Sequence, residues 1–513
     1  MIGLDAADPI LIERWLGDGT LPNLAVLRKS GIYGRLRTSA RYLAGSPWPT
    51  FYTGQPPSHH GIYHDYQWRQ EGMSYARPSP DWTTATPFWR TLPDDLRVLA
   101  FDVPMTLGCQ GASGVEISGW ASHDALAPPA SHPRDLLAEV RRRFGESPAR
   151  PEPYGRQSLA ELLWLRDHLL DSIPRSTELA LWLMQRPFDF AIIAFSALHR
   201  GGHRLWDRSS VDGPIAEPEG RVFDNSLREL YIACDHAIGR LLAAAPDAMV
   251  MVFSLHGMML NSARVDLLDA MLARILDGRD NASTPRGRLI RPLGEALPLG
   301  LRRRLTLAVP ASLRDRAMTL WTTGGVDWTR TEAFTLRADL QGYIRINLKG
   351  REAKGIVPPG AYDGLCDRIA EGLRSFADAA TGEPLVAAVC RSNEIFPEGP
   401  AQNRLPDLVV CWQGTPAVTH EAVVSSRFGR IERATPGRIP NGRSGNHRPE
   451  GFLIAHGQAV PAGSTLQDAD ILDLAPTALQ LLGVRRRQAL PGTPLGLICG
   501  DGDRSASPSV LDL

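Results

Sequence analysis

The sequence predicts an α/β protein: a doubly wound, mostly parallel sheet with helices on both faces, carrying a helical insertion. Two observations lead there. Short apolar runs alternate with stretches of helical periodicity along most of the 513 residues. Several of those runs end on a residue that can do chemistry, and in open parallel sheets sites form at the carboxyl ends of strands.

In chain order, Met1–Leu4 ends at Asp5. It is short for a central strand, so a true start upstream of Met1 stays open. Ile10–Leu16 and Pro22–Ser30 read as helices. Val98–Phe101 is a strand ending at Asp102, and Phe190–Phe195 leads to Ser196 and His199. Ser226–Ala245 is helical, and Met249–Phe253 leads to Ser254 and His256. Residues 270–330 hold Arg286, Arg288, Arg291, Arg302, Arg303 and Arg304 among many leucines. This reads as a mainly helical cap whose cationic face is either solvated or turned to an anionic ligand. Tyr343–Leu348 is a strand, Ala361–Phe376 a helix, and Leu408–Cys411 and Phe452–Ala455 are strands. Asp473 is placed to cap a last helix over 473–484, with Pro476 tolerated in its first turn and Gly483 at its end. The expected organisation is a core over 1–269 and 405–495, the Arg-rich insertion over 270–330, an α/β insertion over 331–404 and a tail over 496–513.

Hydrophobic residues make up 43% and charged residues 22% of the chain, the balance of a globular protein. Lys+Arg and Asp+Glu are 56 each, so net charge gives no pointer to nucleic acid. No apolar run approaches the roughly 18–20 residues of a transmembrane helix. No basic segment followed by an apolar stretch opens the chain. The six cysteines are scattered without CxxC spacing, so neither a disulfide framework nor a cysteine metal site is expected. A reduced, cytoplasmic protein is the expectation.

Four segments carry candidate chemistry. In Ala44–Tyr63, Ser46 precedes Pro47, a good first helical residue. Ser46 is therefore either a helix N-cap or a nucleophile at a helix N-terminus, where backbone N–H groups receive a phosphate. Past the strand Phe190–Phe195 come His199 and His203, four apart, able to share one metal if the turn is helical. His256 follows a strand, and alone would be a hydrogen-bonded core histidine. Asn446–Gly451, with His447, is a loop before a strand.

Asp5, Ser46, His199, His203, His256 and His447 are ordered along the chain like one metallohydrolase site. With GLDAADP, SPWPTFYTG, PSHHGIY, SLHGM, SGNHRPEGFLIAHG and DLAPTALQLLGV, the chain resembles the alkaline phosphatase superfamily over residues 1 to about 495. The branch it is similar to is that of phosphodiesterase and nucleotide-pyrophosphatase-like phosphohydrolases. The resemblance implies a doubly wound fold, two divalent metals, usually zinc, and a Ser or Thr nucleophile that forms a phospho-enzyme. It implies one metal on His199, His203 and His447, and a second on Asp5, the nucleophile, position 255 and His256. His60 in PSHHGIY is read as structural.

The sequence departs from that pattern in three places. Position 199 carries His199 in place of a carboxylate, which still makes a good zinc site. Position 255 is Leu255, which removes a ligand. Ungapped alignment on Thr53-Gly54 places Ala44 at the nucleophile, so Ser46 is expected in that role with Thr50 in reserve. Ser46-Pro47-Trp48-Pro49-Thr50 lacks the C/S-x-P-x-R of the sulfatase branch. The resulting expectation is a hydrolase of small-molecule phosphate mono- or diesters. It would have one tight zinc and a second ion weak or absent, unless Asp8 or Asn261 replaces the missing carboxylate. Arg200 and Arg448 are expected to contact substrate. The alternative is a degenerate member that binds an anionic ligand without turnover.

Overall fold

The computed structural model describes the chain except residues 81, 84, 110–112, 124, 150–154, 278–325, 420, 434–439, 485–489 and 500–513. A ten-stranded sheet runs Ser464–Thr465, Ile32–Arg37, Gly451–His456, Val250–Ser254, Ile2–Leu4, Phe190–Phe195, Val98–Phe101, Gly114–Ser118 and Ala130–His132, with Ala469–Asp470 also on Ile32–Arg37. The central five strands, from Val250–Ser254 to Gly114–Ser118, are parallel. These five are almost wholly buried, as expected of strands covered on both faces.

Helices cover both faces. Pro9–Gly17, Pro22–Ser30, Leu159–Met184 and Glu219–Ala244 pack with Ile2, Leu4, Ile193 and Val252 on one. Pro47–Thr53 and Leu474–Leu481 pack with Phe253, Leu255, Ile192 and Leu453 on the other. The mixed α/β architecture with a mostly parallel central sheet is thus the one expected. Two local expectations are corrected. Gly451–His456 runs antiparallel to both neighbours. Its amino end therefore lies beside Ser254, which puts the segment before it on the same sheet edge as His256. Asp473 does not cap Leu474–Leu481 with its side chain. Instead it accepts from the backbone N–H of Asp470 and Thr493 at 3.0 and 2.8 Å.

A second, four-stranded sheet has the order Ala333–Leu336, Gly342–Ile346, Leu408–Trp412, Val386–Arg391 and is antiparallel throughout. The helices Val265–Ile275 and Tyr362–Arg374 close a separate apolar core against it. Its link to the rest of the chain combines a buried, largely aromatic cluster, with Tyr42, Tyr63 and Trp68 against Phe334, Leu336 and Tyr343, with specific hydrogen bonds. The Gln341 amide donates to Ala40 O and Arg41 O, and the Ala44 N–H donates to Tyr343 Oη at 3.1 Å. Most of the Arg-rich cap lies outside the described residues. Among the described residues no helix is long and apolar enough to cross a membrane.

Candidate metal centre

His199 and His203 sit on the helix Ala197–Arg204, directly after the strand Phe190–Phe195. The four-residue spacing puts both rings on one face, with their Nε2 atoms 3.2 Å apart. Each ring is held by its other nitrogen. His203 Nδ1 lies 3.0 Å from Gly445 O, and His199 Nδ1 lies 2.8 Å from Asp5 Oδ2. Two glycines allow this approach: a Cβ on Gly445 would meet Gly202 O at 2.0 Å, and one on Gly202 would meet Met258 Cγ at 2.6 Å. The HRGGH and SGNH segments are thereby brought into backbone contact.

Asp5 follows the strand Ile2–Leu4 and is 1% exposed. Its Oδ1 accepts from Trp48 Nε1 at 2.8 Å, so both carboxylate oxygens are engaged. Burial alone would raise its pKa. The charges and hydrogen bonds of His199, His256 and Trp48 outweigh that and hold it down to about 2. His256 follows Val250–Ser254, and His447 lies on Gly445–Arg448, which pairs antiparallel with Gly257–Leu260 so that Met258 faces His447. The His256 and His447 rings are 4.7 Å apart. Among the described residues, neither nitrogen of His256 nor Nδ1 of His447 has a hydrogen-bond partner. Burial pushes the His256 pKa down to about 4 and that of His447 well below its usual value. Burial thus favours the neutral ring in both, the form that binds metal.

The pocket they share is lined by Asp5, Ala44, Gly45, Pro47, Trp48, Pro104, Met105, His123, His199, His256, Asp339 and His447. Five of the expected site residues, Asp5, His199, His203, His256 and His447, are thus gathered at one edge. Ser46 is not on the lining. It occupies the N-cap position of Pro47–Thr53 in a helical conformation, φ −96° and ψ −14°, from which its side chain makes no cap bond. Its Oγ is fully buried, 2.7 Å from both Ser39 Oγ and Leu43 O. Thr50 is also buried, 3.3 Å from Ser39 Oγ and 3.1 Å from His60 Nε2. Ala44, the ungapped match to the nucleophile, does line the pocket.

Both arginines named from the sequence face elsewhere. Arg448 pairs with Asp8 at 2.7 Å, and Arg200 lines a separate cavity with Leu169, Ser172 and Ile173. Asp8 is further committed to the N–H groups of Ile10 and Leu11. Asn261 is bonded to Arg443 O, Ala263 N and Asn446. Leu255 is fully buried in apolar surroundings.

Two pocket residues escaped the sequence reading. Asp339 comes from the second sheet's connection and is held by Arg443 at 2.8 Å, with His64 at 3.5 Å. His123 lies on a loop after Gly114–Ser118, its ring centroid 4.3 Å from that of His199. Two triads of buried histidines could hold an ion: His123, His199 and His203, and His199, His256 and His447. In each, one ligand atom per residue lies within 4.8 Å of the others.

Imidazoles and a carboxylate are thus gathered at the carboxyl edge of a doubly wound sheet, where sites form in such folds, and could hold a metal ion. The family model for type I phosphodiesterase / nucleotide pyrophosphatase matches residues 1–422. The chain belongs to that family and is a phosphoric ester hydrolase. Among solved structures, human ectonucleotide pyrophosphatase / phosphodiesterase 5 is 12% identical over 97% of this chain and 98% of its own, with a TM-score of 0.47. Its murine counterpart, in an inactive form in complex with AMP, is 13% identical over 96% of each chain, with a TM-score of 0.45. Phosphonoacetate hydrolase from Sinorhizobium meliloti 1021 in complex with phosphonoacetate is 13% identical over 94% of each chain, with a TM-score of 0.48. No curated protein sequence matches the chain.

Proposed function

We propose that the chain hydrolyses small-molecule phosphate mono- or diesters in this pocket with one divalent ion, zinc, and with water as the attacking group. The observation that carries the reading is the composition of the pocket wall. It offers buried imidazole nitrogens without protein partners, yet no hydroxyl among its described residues. The residues fit one ion better than two, because Leu255 offers no donor and both Asp5 oxygens are engaged. Neutral nitrogen donors suit zinc.

Zinc would supply a Lewis acid that polarises a phosphoryl oxygen and favours ionisation of water. The chain's own residues do the rest. Asp5 and Gly445 O fix the tautomers of His199 and His203, leaving both Nε2 atoms turned to the same point. His256 and His447 can hydrogen-bond to substrate oxygens through their unpartnered nitrogens. Asp339 and His256 are the remaining proton-handling groups on the wall. Water adds to phosphorus, one P–O ester bond breaks, and the leaving oxygen takes up a proton.

Ser46→Ala tests the nature of the attacking group. Loss of its buried hydrogen bonding is expected to cost about 1 kcal/mol of stability. Turnover should stay within about tenfold of wild type, a change of no more than about 1.4 kcal/mol in barrier. Rapid-quench experiments should trap no phosphorylated protein. A loss of several orders of magnitude, with a trapped phosphoserine in wild type, would return the role to Ser46.

A further inference from the structure

We infer that His123 is a ligand of the bound ion, so that His123, His199 and His203 hold it while His256 and His447 face the open side. The inference deepens the proposed function and rests on its reading that the pocket binds a divalent ion.

Both histidine triads need His199. His199 Nδ1 is engaged with Asp5, so Nε2 is the nitrogen turned toward the other imidazoles. That atom lies 3.2 Å from His203 Nε2. Two nitrogens bound tetrahedrally at about 2.0–2.1 Å would be about 3.3 Å apart, so the pair already has the spacing of two ligands of one ion. The triad that contains His203 is the one with His123. The His199 and His203 rings are also held by a carboxylate and a backbone carbonyl, the support that ligating histidines need. His256 has no such support on either nitrogen.

His123 is not on a loose loop. Asp102, at the end of Val98–Phe101, accepts from the backbone N–H groups of Trp120 and Ala121 at 2.7 Å each. Its own N–H donates to Ile117 O at 2.7 Å. To do so it adopts φ +58°, a left-handed conformation that is uncommon outside glycine. The clamp ties the strand end to the residues just before His123, which is 7% exposed and lines the pocket. Three imidazoles leave one position open, toward His256 and His447, as a zinc site that turns over substrate requires.

The test is zinc affinity of the purified full chain, measured by competition with a chelating dye, for wild type, His123→Gln and His447→Gln. Circular dichroism checks the fold of each. His123→Gln should weaken zinc by more than about 100-fold, beyond the roughly 10–100-fold that loss of an orienting partner costs. His447→Gln should weaken it by less than His123→Gln does. The reverse order, with His123→Gln near wild type, overturns the inference and leaves metal-dependent hydrolysis standing. Wild type without measurable zinc affinity overturns both. Should His123→Gln fail to fold, an anomalous difference map from zinc-loaded wild-type crystals decides. Zinc within bonding distance of His123 supports the inference, and zinc between His256 and His447 overturns it.

Discussion

His203→Ala is expected to abolish tight zinc binding and reduce phosphoester turnover to background. His203 is fully buried, and its Nε2 is 3.2 Å from that of His199. Removing it deletes one proposed ligand and the hydrogen bond that ties the helix Ala197–Arg204 to Gly445. The fold should survive, because the apolar cores on both sheet faces are built without His203. Metal content by mass spectrometry and hydrolysis of an aryl phosphodiester are the readouts. Full retention of zinc in His203→Ala would exclude the helix pair as the anchor.

Asp5→Asn should produce the second largest effect, by a different route. Both Asp5 oxygens are used, one by Trp48 and one by His199, so in the proposed site the carboxylate would act on the ion through His199. The ionised state is favoured despite complete burial, with a pKa held to about 2. Asparagine keeps the volume but weakens the acceptor facing His199 Nδ1. Zinc affinity should fall about 10–100-fold, as for other orienting carboxylates, with turnover falling alongside. That is a smaller loss of metal than in His203→Ala. A complete loss of zinc in Asp5→Asn would mean direct ligation. Unchanged affinity would mean that His199 needs no orientation.

The parts of this site legible in the sequence are those where an apolar run stops at a polar residue. Asp5, His199 and His256 follow buried strands, and the four-residue spacing of His199 and His203 is enough to put them on one helical face. His447 was legible only in the company of the other motifs, because the antiparallel course of Gly451–His456 is what returns it to the same edge. His123 had no such signal. The strand before it, Gly114–Ser118, contains Glu116, which is buried against Arg90 at 2.8 Å and breaks the apolar run. Asp339 depends on docking of the second sheet through Tyr343 and Gln341, a contact across about 300 positions that no local pattern carries. Ser46 is a different case. Its local sequence has the features of a helix start, and its side chain is bonded to Ser39 and Leu43 beside the pocket-lining Gly45 and Pro47.

The histidine pocket is proposed to hydrolyse phosphoric esters with one bound ion and no protein hydroxyl. The most direct measurement is turnover of aryl phosphate mono- and diesters by protein stripped with chelator and titrated with zinc. Activity should be absent in the stripped protein, rise in proportion to added zinc and level off at about one equivalent per chain, as a single three-imidazole site requires. Tight uptake of zinc with no hydrolysis of either ester class would contradict the claim and make the pocket a binding site without turnover.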